Sequence, residues 1–163
     1  MHDDYPLPEI YREAMARFAG HVQIVTTSDG VSRRGITATA CCSISDTPPT
    51  VLACVNRQKE RNHLFKSSGN FAINSLAAKH QPLADAFAGR GELSAEERFA
   101  RGSWSTGASG APVLDDALVS FDCRLVDAKV VATHWILIGE VIAVRMGDDE
   151  GALVYYSRGY RNL

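Results

Sequence analysis

Between Glu9 and Ala19 the apolar residues Ile10, Ala14 and Phe18, with Met15 beside them, recur at helical spacing. Gly20 follows, where a helix end favours a residue free to adopt positive φ. The spacing predicts an amphipathic helix over 9–19 with Met15 and Phe18 as core contacts. From His21 the pattern turns strand-like. The run 21–27, a Ser28-Asp29-Gly30 turn and a return through 35–45 have the form of a β-hairpin. Pro48 and Pro49 end that run, because proline has no amide to give a ladder. Runs 50–56 and 70–76 are two further apolar strands, with a short helical piece between them that ends at Gly69. Pro82 suits the start of a helix over about 81–88, and Ser94-Ala95-Glu96-Glu97 forms a capping box for another.

The last third decides the class. Strands are expected at about 117–127, 133–145 and 152–156, with connections too short for parallel crossovers, so they pair antiparallel. A doubly wound parallel sheet is thereby disfavoured. Many strands and few helices predict a mainly β (α+β) domain, a closed or nearly closed antiparallel barrel with peripheral helices and no exposed edges. No repeat, low-complexity stretch or linker divides the chain, so residues 1–163 form one domain, long enough to bury a core without a disulfide or metal.

Charge then narrows the function. With 17 Lys and Arg against 19 Asp and Glu, the chain has no basic excess and no basic stripe, which excludes a dedicated nucleic-acid binder. The start of the chain is acidic and carries two prolines, unlike a secretory signal, and no apolar run is long enough to cross a membrane. A cytoplasmic location is expected. Cys41, Cys42, Cys54 and Cys123 match neither a redox CxxC pair nor zinc-ligand spacing; no metal is expected, and the four are read as reduced, buried thiols. The glycines at 89–91 and 102–107 fail the phosphate-loop templates, and no nucleophile elbow or paired apolar carboxylates occur.

Four features could carry chemistry. The strand-like run from Gly35 through Thr37, Ala38, Thr39 and Ala40 to Ser43 is rich in small and hydroxyl side chains, which let a flat ring approach the backbone; packing at a curved barrel strand is the structural alternative. At 54–62 an apolar strand ends in amides and cations, a setting for a phosphate or a solvated loop. His134 heads an apolar strand and could steady a cofactor or serve only structure. The tail Tyr155-Tyr156-Ser157-Arg158-Gly159-Tyr160 sets aromatics around an arginine, either to dock the chain end or to contact a ring.

Taken in order, residues 12–18, 22–27, 35–40, 43–49, 71–76, Phe87-Ala88, 110–114, His134, 138–141 and Tyr160 resemble the flavin reductase family, the small components of two-component flavin monooxygenases. The resemblance covers about 9–163. It implies a split β-barrel homodimer that binds FMN or FAD and takes hydride from NADH or NADPH. It further implies that Thr37, Ala38, Thr39 and Ala40 line the isoalloxazine, and that Cys54, Val55, Asn56 and Lys59 hold its edge, ribityl chain and phosphate. Phe87, Ala88 and Gly89 would close the phosphate or adenine side, His134 would be the catalytic residue near the nicotinamide, and Arg158 and Tyr160 would flank it. Ala132-Thr133 stand where the family usually has Gly-Asp, and Ala40-Cys41-Cys42 where many members have Ser or Asn followed by Phe. The expected function is NAD(P)H:flavin oxidoreduction that supplies reduced flavin to a partner monooxygenase. A non-catalytic flavin-binding or redox-sensing barrel is the alternative, and an oxidase of a small organic substrate a third.

Overall fold

In the computed structural model, residues 7–163 are described; the acidic start read at 1–6 lies outside them. The chain runs α1 (Pro8–Ala16), β1 (Gly20–His21), β2 (Gln23–Ser28), β3 (Arg33–Ala38), β4 (Cys41–Asp46) and β5 (Pro49–Asn56). A 3-10 turn (Glu60–His63) and α2 (Leu64–Ser67) lead to β6 (Asn70–Ser75), then α3 (Gln81–Phe87) and α4 (Ala95–Phe99). It closes with β7 (Trp104–Thr106), β8 (Pro112–Leu114), β9 (Val119–Val131), β10 (His134–Met146), β11 (Leu153–Tyr156) and β12 (Gly159–Asn162).

Seven strands form one antiparallel sheet in the order β3-β2-β6-β9-β10-β5-β4. Its edge strands, β3 and β4, are joined by Thr39 and Ala40 alone. Three Cα steps reach at most about 11 Å, so the sheet must curl until its edges meet. The Cys54 amide, on β5, donates to the Ala40 carbonyl at 2.9 Å and carries the β4–β5 pairing back into that link. The result is an antiparallel barrel split at β3/β4. A small β1-β11-β12 sheet and the β7-β8 pair lie beside it.

Alternation sorts the side chains. On β5, Val51, Ala53 and Val55 are buried, whereas Thr50, Leu52, Cys54 and Asn56 are half-covered. Val51, Ala53 and Val55 join Val25, Phe71, Trp135 and Leu137 inside the curl. Ile24, the neighbour of Val25, faces a second core with Leu76, Leu83, Phe87 and Phe99 under α3 and α4. Gly139 lets β10 cross Phe71 closely, since a Cβ there would lie 2.5 Å from the ring. At the barrel's open mouth is a concavity of about 340 Å³ lined by Cys41, Cys42, Val51, Ile73, Phe121, Val141 and Val144. Ser75 and Gln23 lie within it, the Ser75 hydroxyl donating to Gln23 Oε1 at 2.6 Å.

Several expectations hold. The β2–β3 hairpin forms, although its expected return through 35–45 breaks at Thr39-Ala40, after which β4 pairs with β5 instead. The capping box at Ser94 is complete, with the Glu97 amide donating to Ser94 Oγ and the Ser94 amide to Glu97 Oε2. Two require correction. The first helix stops at Ala16, and Ile10, Met15 and Phe18 are exposed by 60%, 45% and 73% rather than packed. The helix sits outside the curl, held where the Ser157 amide donates to the Ala16 carbonyl and Arg158 pairs with Glu13, so no sheet face covers it. Of the cysteines only Cys123 is buried; Cys41 is half-covered and Cys42 exposed because β4 is an edge strand, and Cys54 of β5 is half-covered because it faces the open seam.

Candidate active site

Where the seam opens, the end of β3, the end of β5, the first residue of β10 and the C-terminus of α3 enclose a cleft of about 390 Å³. Its floor is Ile36 followed by the small side chains of Thr37, Ala38, Thr39 and Ala40, on an edge strand and its link. One wall is Phe87, Ala88 and Gly89. Gly35 permits that wall to stand close, for a Cβ at Gly35 would collide with the Phe87 ring. Thr37 Oγ1 donates to the Ala84 carbonyl at 2.6 Å, so its hydroxyl binds α3 to β3. Gly89, at φ 91°, ends α3 in the left-handed conformation that glycine adopts freely. Behind Phe87, the rings of Phe99 and Trp104 pack edge-on at 5.1 and 5.6 Å.

The opposite side is polar. Cys54, Asn56 and Lys59 follow one another out of β5, and His134 pairs with Asn56 across the ladder. Asn62, at the end of the 54–62 run, completes the cleft together with Arg34 and Arg98, two residues that sequence reasoning missed. Arg34 is only 8% exposed; its Nε donates to Asn62 Oδ1 at 2.9 Å, and Asn62 Nδ2 donates to the Asn56 carbonyl at 2.9 Å. Burial, then the nearby charges of Arg98 and Arg61, holds the Arg34 guanidinium below the usual arginine range. Arg98 Nε donates to the Leu93 carbonyl at 3.1 Å. Strand parity places Arg34 with Ile36 and Ala38, and that period was the one available sequence signal.

Not every expected residue reaches the cleft. Val55 faces the barrel core, opposite in parity to Cys54 and Asn56, and does not line the cleft. Arg158 projects from the β11–β12 turn onto α1, 3.0 Å from Glu13. Tyr160 lies in an adjoining notch of about 250 Å³ with Arg90 and Tyr155, reached past Thr37, Ala38, Thr39 and Ala88.

The chemistry follows from charge. Arg34, Lys59 and Arg98 line the cleft and, among the described residues, no carboxylate does. Such a donor set fits an anion, and a phosphate above all. Burial and neighbouring Cys42 push the Cys54 thiol above the usual range, which makes it a neutral wall rather than a thiolate nucleophile. Among the described residues no three His, Cys, Asp or Glu side chains gather as metal ligands. A phosphate-bearing planar molecule fits the whole surface: small side chains for a ring, amides for its edge, cations for its far end.

Fold and cleft therefore define a split-barrel protein with a nucleotide-sized, acid-free pocket at its seam. The flavin reductase like domain model matches residues 15–163, and the chain belongs to that family. It is 49% identical over 153 residues to the FMN reductase (NADH) RutF of Agrobacterium fabrum, covering 94% of this chain and 87% of that one. A Haemophilus somnus crystal structure assigned as a flavin reductase superposes with a TM-score of 0.92 at 39% identity, covering 97% of this chain and all of that one. BorF, the flavin reductase component of a bacterial two-component tryptophan halogenase, superposes at 0.87 with 33% identity and covers 95% and 97%.

Proposed function

We propose that this chain reduces FMN with NADH and releases the reduced flavin to a partner monooxygenase. The observation that carries the reading is the acid-free cationic cleft beside a floor of small side chains. The balance is NADH plus FMN plus a proton giving NAD+ and FMNH2; the cofactors supply the hydride donor and acceptor. The protein's part is to bind, align and exclude water. Arg34, Lys59 and Arg98 hold the phosphate end, and Asn56 serves the polar edge. Thr37, Ala38, Thr39 and Ala40 receive the ring, with Cys54 beside them as a neutral wall. Phe87, Ala88 and Gly89 close the far side, Tyr160 borders the neighbouring notch, and His134 steadies the reacting edge. Arg158, committed to Glu13, is left out.

A second copy of the chain covers the barrel mouth, whose apolar concavity is lined, among the described residues, by strands and by no helix. Cys42, exposed as a free thiol, accords with a reducing compartment and thus the cytoplasm. No helix of the described chain is long and apolar enough to cross a membrane.

The test is anaerobic stopped-flow absorbance at the flavin band, mixing the protein and FMN or FAD with NADH or NADPH. Repeated bleaching of excess free FMN by NADH is expected. Tight flavin binding without bleaching would transfer the assignment to a flavin-retaining barrel.

A further inference from the structure

We propose that Thr133 is a positioning residue for His134, its hydroxyl donating to Nδ1 and so holding the imidazole as the tautomer that carries its proton on Nε2. The inference rests on the reading of the cleft as a flavin-reducing site. Thr133 Oγ1 lies 2.8 Å from His134 Nδ1. Neither residue is free to drift. Ala132 and Thr133 form the two-residue reversal between β9 and β10, with Ala132 at φ 49°. That reversal is clamped to the end of β5. Arg57 Nε donates to the Ala132 carbonyl at 2.9 Å, and the Arg57 amide donates to the Thr133 carbonyl at 3.0 Å. His134 itself is fixed on both sides, opposite Val131 on β9 and Asn56 on β5.

A neutral imidazole has one donor and one acceptor nitrogen, and the bond made by one decides the proton on the other. The ring nitrogen is a stronger acceptor than the hydroxyl oxygen, so the hydroxyl donates and Nε2 keeps the proton. That arrangement suits the cleft in two ways. Flavin and nicotinamide present carbonyl oxygens at their ring edges, which need a donor. When hydride leaves NADH the nicotinamide ring becomes cationic, and a neutral imidazole does not oppose that charge as an imidazolium would.

The experiment is long-range proton–nitrogen NMR on the 15N-labelled full chain at about pH 8, above the ordinary histidine range, with His134 assigned by its loss in His134→Gln. Wild type and Thr133→Ser are expected to show Nδ1 bare and Nε2 protonated, and Thr133→Val a mixture of tautomers. Steady-state turnover of NADH should fall about fivefold in Thr133→Val, as for loss of one hydrogen bond, with KM for FMN unchanged and recovery in Thr133→Ser. A proton on Nδ1 in wild type, one tautomer shared by wild type and Thr133→Val, or equal turnover in the two would overturn the proposal. If His134→Gln turns over like wild type, the placement of His134 at the reacting edge fails, while the NMR comparison still decides the tautomer.

Discussion

The curled sheet has two concavities of similar size and opposite character, about 390 Å³ at the seam and about 340 Å³ at the mouth. Both draw on β5. Cys54 and Asn56 face the seam, and Val51 faces the mouth. The seam is built from strand ends, where chain leaves the ladder and can carry Asn, Lys and Arg. The mouth is built largely from strand interiors, where alternation supplies Val, Ile and Phe. Hence one sheet can hold a charged small molecule at its ends and a protein surface along its middle, with no extra domain for either.

The largest expected effect falls on the mouth. Val144, half exposed on β10 at its rim, would be buried by a second copy and would occur twice in a two-fold interface. Val144→Asp should cost about 2 kcal/mol per copy, raising the dimer dissociation constant roughly 1,000-fold. Sedimentation velocity measures it; an unchanged dimer, or a wild type monomeric at micromolar concentration, would break the comparison on that side.

A smaller effect is expected at the seam. Arg98→Met should weaken FMN binding by about 1.5 to 3 kcal/mol, on the order of 10- to 100-fold, as for a hydrogen bond to a charged group. Fluorescence titration checks this, with riboflavin as control: lacking the phosphate, it should bind wild type and variant alike. Equal losses for both ligands would mean that Arg98 supports the fold and not the phosphate.

The smallest is a pH effect that sharpens the contrast, since carboxylates stand outside the cleft. Hydrogen bonds from Ser103 and then Ser105, with Arg145 of β10 at 2.8 Å, hold Asp115 below the ordinary carboxylate range. A depressed folded value stabilises above the unfolded value and is lost as pH falls through the folded one. The Tm of wild type should therefore exceed that of Asp115→Asn near pH 7, and the difference should shrink toward about pH 3. A gap that stayed constant with pH would remove Asp115 as its source.

How much of this was legible in the chain depended on period. The strand runs at 21–27, 50–56 and 70–76 and the capping box at Ser94 have local signatures, and each formed. β7, β8 and β12 have three or four residues each, too few to show alternation, and stayed unread. The helical spacing of Ile10, Ala14 and Phe18 marked a face but could not show that no sheet would cover it. Eleven expected residues line the cleft, because the small-residue run and the polar strand end each lie in one segment. Arg34 and Arg98 were missed because they converge, with Asn62 of the 54–62 run, only when β3, the turn after β5 and α4 pack together. Period alone would have turned Val55 inward; Arg158 was beyond it, since the turn at Ser157 and Arg158, with φ 50° and 61°, aims that side chain at α1.

The two-residue link between β3 and β4 has one more consequence. Thr39 and Ala40 both join the barrel's edges and floor the cleft, so their number is fixed twice over. An insertion in the loop 148–150 merely lengthens a surface excursion. The same insertion at the link would push an added residue into the cleft floor or, if β4 slipped one position on β5 instead, would invert which β4 side chains point into the mouth. Length tolerance along this chain is thus a map of its assembly, and the connector that doubles as the cleft floor is the one least free to grow.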